Sequence, residues 1–314
     1  MENKQQNFMK EAISIKLQDV TLYGDKYIPA SVAKGTIEII HGMAEHRKRY
    51  DAFASFLATQ GYITYIYDQR GHGETAGSIE NVGYMSDIDN FKVLVDDARI
   101  VSEYIKAENP NLPIFVFGHS MGSFITQRFS ELYGKTINGA ILCGSNYTKS
   151  GLYSIGILIA KIITKAKGRT YHSKFVTDLS FGSYNKPFKP NRTDFDWLSV
   201  NTENVDKYIA DEYCGTMFSV SYFLDLLRGF KDISSSYEVI SPDLPMYLIS
   251  GSDDPVGNMS KGVIKLEKAL KKNFIKDVSM KLYQGKRHEI LNEDNKEEVY
   301  EDVLNWINKH NNIN

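Results

Sequence analysis

The stretch of this chain whose residue types and spacing most directly suggest chemistry is Gly118-His119-Ser120-Met121-Gly122. It reads G-x-S-x-G. Glycines two positions either side of a serine permit a turn tight enough to push the hydroxyl out above its surroundings, a nucleophile elbow. A Cβ at either glycine would collide with neighbouring chain in such a turn. The elbow needs a strand before it and a helix after it. Residues 113–117 form a short apolar run of the kind a buried strand makes, and residues 123–129 can continue as a helix. The first N–H groups of that helix would face any oxyanion formed at Ser120.

Such a serine acts only when a base takes its proton and an acid orients the base. After an elbow of this kind the partners follow in the order Asp or Glu, then His. They belong on loops just beyond later strands, because a parallel sheet places its ligands past the carboxyl ends of its strands. Two loops fit: Gly251-Ser252-Asp253-Asp254-Pro255-Val256 and Gly285-Lys286-Arg287-His288-Glu289. Of the seven histidines, only His288 falls after the last expected strand and before the last expected helix, so it is the candidate base. Asp253 and Asp254 are neighbours, and their side chains must point different ways. Asp254 precedes Pro255, which favours an extended backbone at that position. It is the candidate acid, and Asp253 reads as a capping or surface residue. The oxyanion needs two N–H donors. Met121 supplies one, and Met43, in the loop His41-Gly42-Met43 after an earlier strand, supplies the other. Only main chain is used at these positions, so the methionine side chains are free to line an acyl site.

The elements that must hold these residues alternate. Residues 13–22 alternate apolar and polar as a half-buried strand, with a hairpin partner at 27–32. Strands are expected at 36–40, 62–67, 113–117 and 137–143, and helices at 48–59 and 88–107, the latter ended by Asn109-Pro110. The alternation stops after Gly144. It resumes with strands at 246–250 and 278–283 and helices at 259–272 and 293–310. This predicts an α/β fold: a mostly parallel central sheet flanked by helices. Residues 1–144 and 241–314 make the core, and residues 145–240 read as an inserted, mainly helical cap.

At 314 residues the chain can bury a large core, and its net charge of −2 gives no reason to expect nucleic acid as a partner. Two cysteines, Cys143 and Cys214, are too few for a disulfide framework or a cysteine-rich zinc site. The polar start shows no apolar signal region, and no run is long enough to span a bilayer. A soluble, cytoplasmic protein is expected.

Four motifs carry a resemblance: His41-Gly42-Met43-Ala44-Glu45-His46, Asp68-Gln69-Arg70-Gly71-His72-Gly73, the elbow itself, and Gly251-Ser252-Asp253-Asp254, with Tyr283-Gln284-Gly285 and His288 also similar. The chain resembles the monoacylglycerol lipase and bacterial lysophospholipase branch of the α/β-hydrolase superfamily, grouped with serine aminopeptidase-like hydrolases. The resemblance spans both halves of the core. It implies Ser120, Asp254 and His288 as a triad and Met43 and Met121 as oxyanion donors, in agreement with the reading from the residues. It also implies a structural role for the loop around His72.

Within residues 145–240, the run 152–163 is the most apolar of the chain, broken by Lys161 and followed by Lys165, Lys167 and Arg169. It is too short to cross a membrane. It reads either as a helix packed on the core or as a lid whose apolar face lines an acyl channel or touches a lipid surface, with Ile159 and Ile163 on the substrate side. The expected activity is hydrolysis of a lipid monoester, a monoacylglycerol or a lysophospholipid, with no metal or organic cofactor. An acyltransferase using the same acyl-enzyme and a non-catalytic binding protein are the alternatives outside hydrolysis. An aminopeptidase is the alternative within it, and would need an acid such as Asp194, Asp196, Glu203 or Asp211 to hold a substrate amine.

Overall fold

The computed structural model describes residues 7–85, 90–148, 152–233 and 237–311. Eight strands, β1 (Phe8–Lys16), β2 (Thr21–Pro29), β3 (Gly35–Ile40), β4 (Tyr62–Tyr67), β5 (Ile114–His119), β6 (Gly139–Cys143), β7 (Met246–Gly251) and β8 (Val278–Tyr283), form one sheet. Their order is β1-β2-β4-β3-β5-β6-β7-β8. From β4 to β8 every neighbouring pair is parallel, while β1, β2 and β4 pair antiparallel at one edge. The α/β architecture expected from the alternation is therefore present.

The edge differs from the sequence reading. The alternation over residues 13–22 is not one strand. It runs through the end of β1, a turn closed by Leu17 N–H donating to Val20 O, and the start of β2. Ile15 faces Leu22 across the pair, so the apolar face continues on both sides of the turn and hides it. The partner strand accordingly spans Thr21–Pro29 rather than 27–32.

The central strands are buried on both faces, and side chains of alternate residues enter two different cores. Phe115 and Phe117 of β5 join Phe53 and Leu57 of α1 (Asp51–Thr59) and Val303 and Ile307 of α9 (Lys296–His310). Ile114 and Val116 point the other way, toward Val95 and Ala98 of α2 (Asn90–Glu108), Ile125 of α3 (Met121–Tyr133) and Leu266 of α8 (Lys261–Lys272). Residues 88 and 89, where the second helix was expected to begin, lie outside the described residues.

Between β6 and β7 the chain makes α4 (Leu152–Lys167), α5 (Lys174–Phe181), α6 (Thr202–Ala210) and α7 (Val220–Ile233). Helix α7 contributes Tyr222 and Phe223 to the core beside α3, and α4 packs along α7. Among the described residues no helix is long and apolar enough to cross a membrane.

One buried carboxyl in this frame has a consequence for stability. Glu38 on β3 is fully buried, with the Ser102 hydroxyl donating to its Oε2. Burial pushes its carboxyl from the usual range up to about 8. The folded chain therefore keeps a proton that the unfolded chain loses near pH 4–5, and stability falls as pH rises from there to about 8. Glu38→Gln should leave the melting temperature unchanged at pH 5 and raise it by several degrees at pH 9. A melting curve that shifts equally at both pH values would show that Glu38 is ionised in the fold.

Candidate active site

Ser120 sits between β5 and α3 with φ 51° and ψ −120°, a backbone region costly for any residue with a side chain. Its N–H donates to Cys143 O at 2.9 Å, which fixes the turn to the neighbouring strand. The two flanking glycines are sterically required. A Cβ on Gly118 would run into Gly122 O and Thr126 Oγ1, and one on Gly122 into Ile40 O. The turn is closed against the end of β3, which is where the loop carrying Met43 begins.

His288 follows β8, and Asp254 follows β7. Both are buried. His288 Nδ1 lies 3.0 Å from Asp254 Oδ2. The same carboxylate accepts from Ser250 Oγ at 3.1 Å and, on Oδ1, from Val256 N–H at 2.8 Å. Burial pushes the Asp254 carboxyl up, but His288 and these donors together hold it below its ordinary value. It is an anion that can hold the imidazole with Nδ1–H toward it, leaving Nε2 as the basic nitrogen. Gly144, with φ +59°, lies flat against this pair. A Cβ there would come within 3.0 Å of His288 Cε1 and 3.5 Å of Asp254 Oδ2. Asp253 takes no part. It accepts from Ser252 Oγ and is half-buried.

Ser120, His288, Met43, Met121 and Ile159 all line one cavity of about 720 Å³. Neither the Met43 nor the Met121 N–H has an acceptor among the described residues. The Met121 side chain is held from above, since the Tyr222 hydroxyl on α7 donates to its sulfur. Ile163 does not line the cavity. It is partly buried and packs on the apolar core instead. Of the four acids considered for an amine, only Asp194 lines the cavity. Asp196 accepts from Arg192 and Thr193 N–H, Glu203 pairs with Lys207, and Asp211 pairs with His46. His72 is buried away from the cavity, its Nδ1 against Arg70 O, and burial lowers it to about 3. Around it Asp68 binds Arg47 and Arg70 binds Asp97 and Asp19. That motif ties loops together.

Sequence reasoning missed the charge cluster behind the cavity. Glu45 Oε1 accepts from Gly42 N–H at 2.6 Å and Tyr50 OH at 2.7 Å, and lies 3.1 Å from His119 Nδ1. Glu45 Oε2 accepts from Arg49 at 3.0 Å. Arg49 also grips Glu289 with both terminal nitrogens at 2.5 and 2.7 Å, and Asn204 of α6 donates to Glu289 at 2.6 Å. Burial alone would neutralise these groups. Glu45 instead stays well below its ordinary pKa through His119 and Arg49, and His119 is raised by Glu45. Two signals pointed here: Arg49 stands four residues after Glu45, and Glu289 is next to His288.

Strand order, elbow and the loops beyond β7 and β8 define an α/β-hydrolase. Residues 31–295 match the family model described as serine aminopeptidase, S33, and the chain belongs to that family. It is 25% identical over 293 residues to a monoacylglycerol lipase of Mycolicibacterium smegmatis, covering 93% of this chain and 94% of that protein. It is 26% identical to the monoglyceride lipase of Rattus norvegicus, covering 89% of this chain and 83% of that one. Among solved structures, a thermostable carboxyl esterase from Bacillus coagulans in complex with glycerol superposes with a TM-score of 0.89 at 24% identity, covering 96% of this chain and 99% of that one. The monoglyceride lipase of Saccharomyces cerevisiae, in complex with a substrate analog, gives 0.75 at 20% identity, covering 98% and 97%.

Glu45→Gln removes the charge that Arg49 and His119 share while keeping the side chain's shape. It should lower the melting temperature and slow labelling of Ser120 by a fluorophosphonate about 10²-fold, because the loop carrying Met43 loses its anchor. Glu103→Gln, which breaks an exposed pair with Arg99, should change neither. Equal labelling rates for all three proteins would show that the cluster does not position the site.

Proposed function

We propose that this chain is a serine carboxylic-ester hydrolase cleaving lipid monoesters, with a monoacylglycerol favoured over a lysophospholipid, through an acyl-enzyme. The observation that carries the reading is the shared cavity: Ser120 on its strained turn, His288 backed by a buried Asp254, and two N–H groups without acceptors all open into one space. The monoacylglycerol and monoglyceride lipases among its relatives support the choice of substrate.

In this mechanism His288 Nε2 takes the Ser120 proton as Oγ attacks the ester carbonyl. The carbonyl oxygen becomes an oxyanion held by Met43 and Met121 N–H, each donor worth roughly 3–4 kcal/mol in comparable sites. His288 then gives its proton to the leaving alcohol. Water, deprotonated by the same nitrogen, attacks the acyl-enzyme and restores Ser120. Asp254 keeps the imidazole in the working tautomer throughout. No step calls for a metal or organic cofactor.

Residues 145–240 act as the cap of this site. Leu158 and Ile162 of α4 and Phe175 of α5 are each more than half exposed outside the cavity, with Lys161, Lys165 and Lys167 also on α4. A face of that composition suits transient contact with a lipid surface, from which a single-chain ester can enter the cavity. Of the acids lining the cavity, Glu45 and Glu289 are taken up by Arg49 and Asp178 by Lys174, which leaves Asp194 for the aminopeptidase reading.

The decisive measurement is hydrolysis of monoolein, oleoyl lysophosphatidylcholine, a short p-nitrophenyl ester and an aminoacyl anilide, by wild type, Ser120→Ala and Asp254→Asn. Ester turnover should be preferred for long chains, vanish in Ser120→Ala and fall about 10⁴-fold in Asp254→Asn. Turnover of the anilide alone would make the protein a peptidase, and ester products formed with added alcohol in place of fatty acid would make it an acyltransferase. No turnover of any member of the panel would leave the binding-protein reading.

The cap geometry separates two substitutions. Ile159→Asp puts a charge on the cavity wall and should depress long-chain turnover at least tenfold while sparing acetate esters. Ile163→Asp buries a charge against the core and should lower the melting temperature and both activities together. Equal loss on both esters for Ile159→Asp would remove the acyl-channel assignment.

A further inference from the structure

We propose that His46, Asp211 and Cys214 form a zinc-type metal site that ties the loop after β3 to the segment following α6. Among the described residues, one ligand atom from each of the three lies within 4.8 Å of the other two, and His46 Nε2 is 2.8 Å from Asp211 Oδ2. Zinc holds nitrogen and oxygen at about 2.0–2.2 Å and thiolate sulfur at about 2.3 Å, which places tetrahedral ligand atoms roughly 3.3–3.7 Å apart. Seating the ion needs shifts on the order of 1 Å, within the reach of side-chain rotation. The mixture of imidazole, carboxylate and thiolate selects zinc or cobalt over magnesium and calcium, which take oxygen ligands.

The surroundings support a cation here. Asp211 Oδ1 accepts from Tyr213 N–H at 3.0 Å, which orients the carboxylate and leaves Oδ2 for the metal. The Tyr213 ring packs edge-on to His46. Cys214 N–H donates to Asp211 O at 3.0 Å, fixing the spacing of the two ligands. The cation facing the cluster is Arg49, and Glu45 and Glu289 both bind it, so the local charge is net negative before a metal arrives. His46 and Cys214 are buried, while Asp211 is half-exposed and provides the entry. Three protein ligands leave a fourth position for water, so the ion exchanges with solvent.

The chemistry balances without a redox partner. The Cys214 S–H bond breaks, its proton passes to solvent and a zinc–sulfur bond forms. His46 releases to solvent the Nε2 proton it shares with Asp211, takes the Nδ1–H tautomer with a proton from solvent, and binds through Nε2. Cys214 also packs against Leu198 and Tyr208, which holds its side chain in place.

The site is built into a junction that already exists. Gly215 N–H donates to Ala44 O at 3.0 Å, and Tyr208 OH donates to the same oxygen at 2.9 Å. Ala44 is next to Met43. A bound ion adds a third, exchangeable tie between this loop and the helical segment, and takes no part in ester chemistry.

The test uses the full chain after chelation and dialysis. Cobalt(II) should produce a thiolate-to-metal charge-transfer band in the near ultraviolet with wild type and none with Cys214→Ala, a variant that leaves the His46–Asp211 pair intact. Zinc should raise the wild-type melting temperature, and Cys214→Ala should weaken zinc binding by about 100-fold or more, since losing an outer-shell partner alone costs roughly 10–100-fold. No cobalt band with wild type, the same band in Cys214→Ala, or equal zinc affinity of the two proteins would overturn the proposal and reduce the cluster to an ion pair beside a packed thiol.

Discussion

The cavity floor depends on one buried carboxylate. An ionised Glu accepts at about four lone-pair sites, and Glu45 uses them on Gly42 N–H, Tyr50 OH, Arg49 and, at 3.1 Å, His119. These four partners come from the loop after β3, the start of α1 and the elbow. Arg49 extends the cluster to Glu289 beside His288, and Glu289 extends it to Asn204 on α6. His119 Nε2 lies 3.3 Å from His288 O, closing the circuit from the elbow to the loop after β8. A buried anion with four partners is stable only when all four are in place, because each lone charge left behind costs several kcal/mol. The cluster therefore makes the loops around Ser120 assemble together.

The sheet, in turn, explains how Ser120 keeps a backbone conformation that costs on the order of 1–3 kcal/mol. The strain sits between β5 and α3, and its turn is pinned by Cys143 O on one side and the end of β3 on the other. Both are centres of the parallel sheet, where strands buried on both faces leave no room to relax. The hydroxyl is then presented without help from any loop that could move.

Much of this was legible in the sequence. The elbow glycines, the order of Ser120, Asp254 and His288, and the choice of Asp254 over Asp253 all follow from turn sterics and topology; in the structure Asp254 lies 3.0 Å from His288, Ser120 and His288 line one cavity, and Asp253 pairs with Ser252. Strands with continuous apolar runs, such as β3 and β5, were found within a residue or two because fully buried strands have no competing pattern. The β1–β2 hairpin was misread because a period-two pattern crosses its turn without a break. The spacing of Glu45 and Arg49 and the position of Glu289 beside His288 hinted at the cluster, but the pairing of residue 49 with residue 289 leaves no local signature. Only contact across the fold reveals that the acid beside His288 serves the loop after β3.

Helix α4 shows a different limit. A helix that packs one face on a protein and leaves the other in water displays an amphipathic pattern, and the apolar stripe names the inward residues. On α4 both faces are apolar. Ala160 is buried, Ile155 and Ile159 line the cavity, Ile163 packs on the core, and Leu158 and Ile162 face outward. Periodicity could not separate Ile159 from Ile163, which differ by one turn yet meet different surroundings. The outward Leu158 and Ile162 are what a helix facing only water would shed, since their exposure contributes nothing to the fold. Under the proposed function, a surface apolar on the outside of the helix and apolar on the cavity wall beneath it would serve as a low-polarity route from a lipid layer to the space before Ser120. In that proposal the continuity, rather than Ser120, Asp254 and His288, would distinguish a site for a long single-chain ester from one for a small soluble ester.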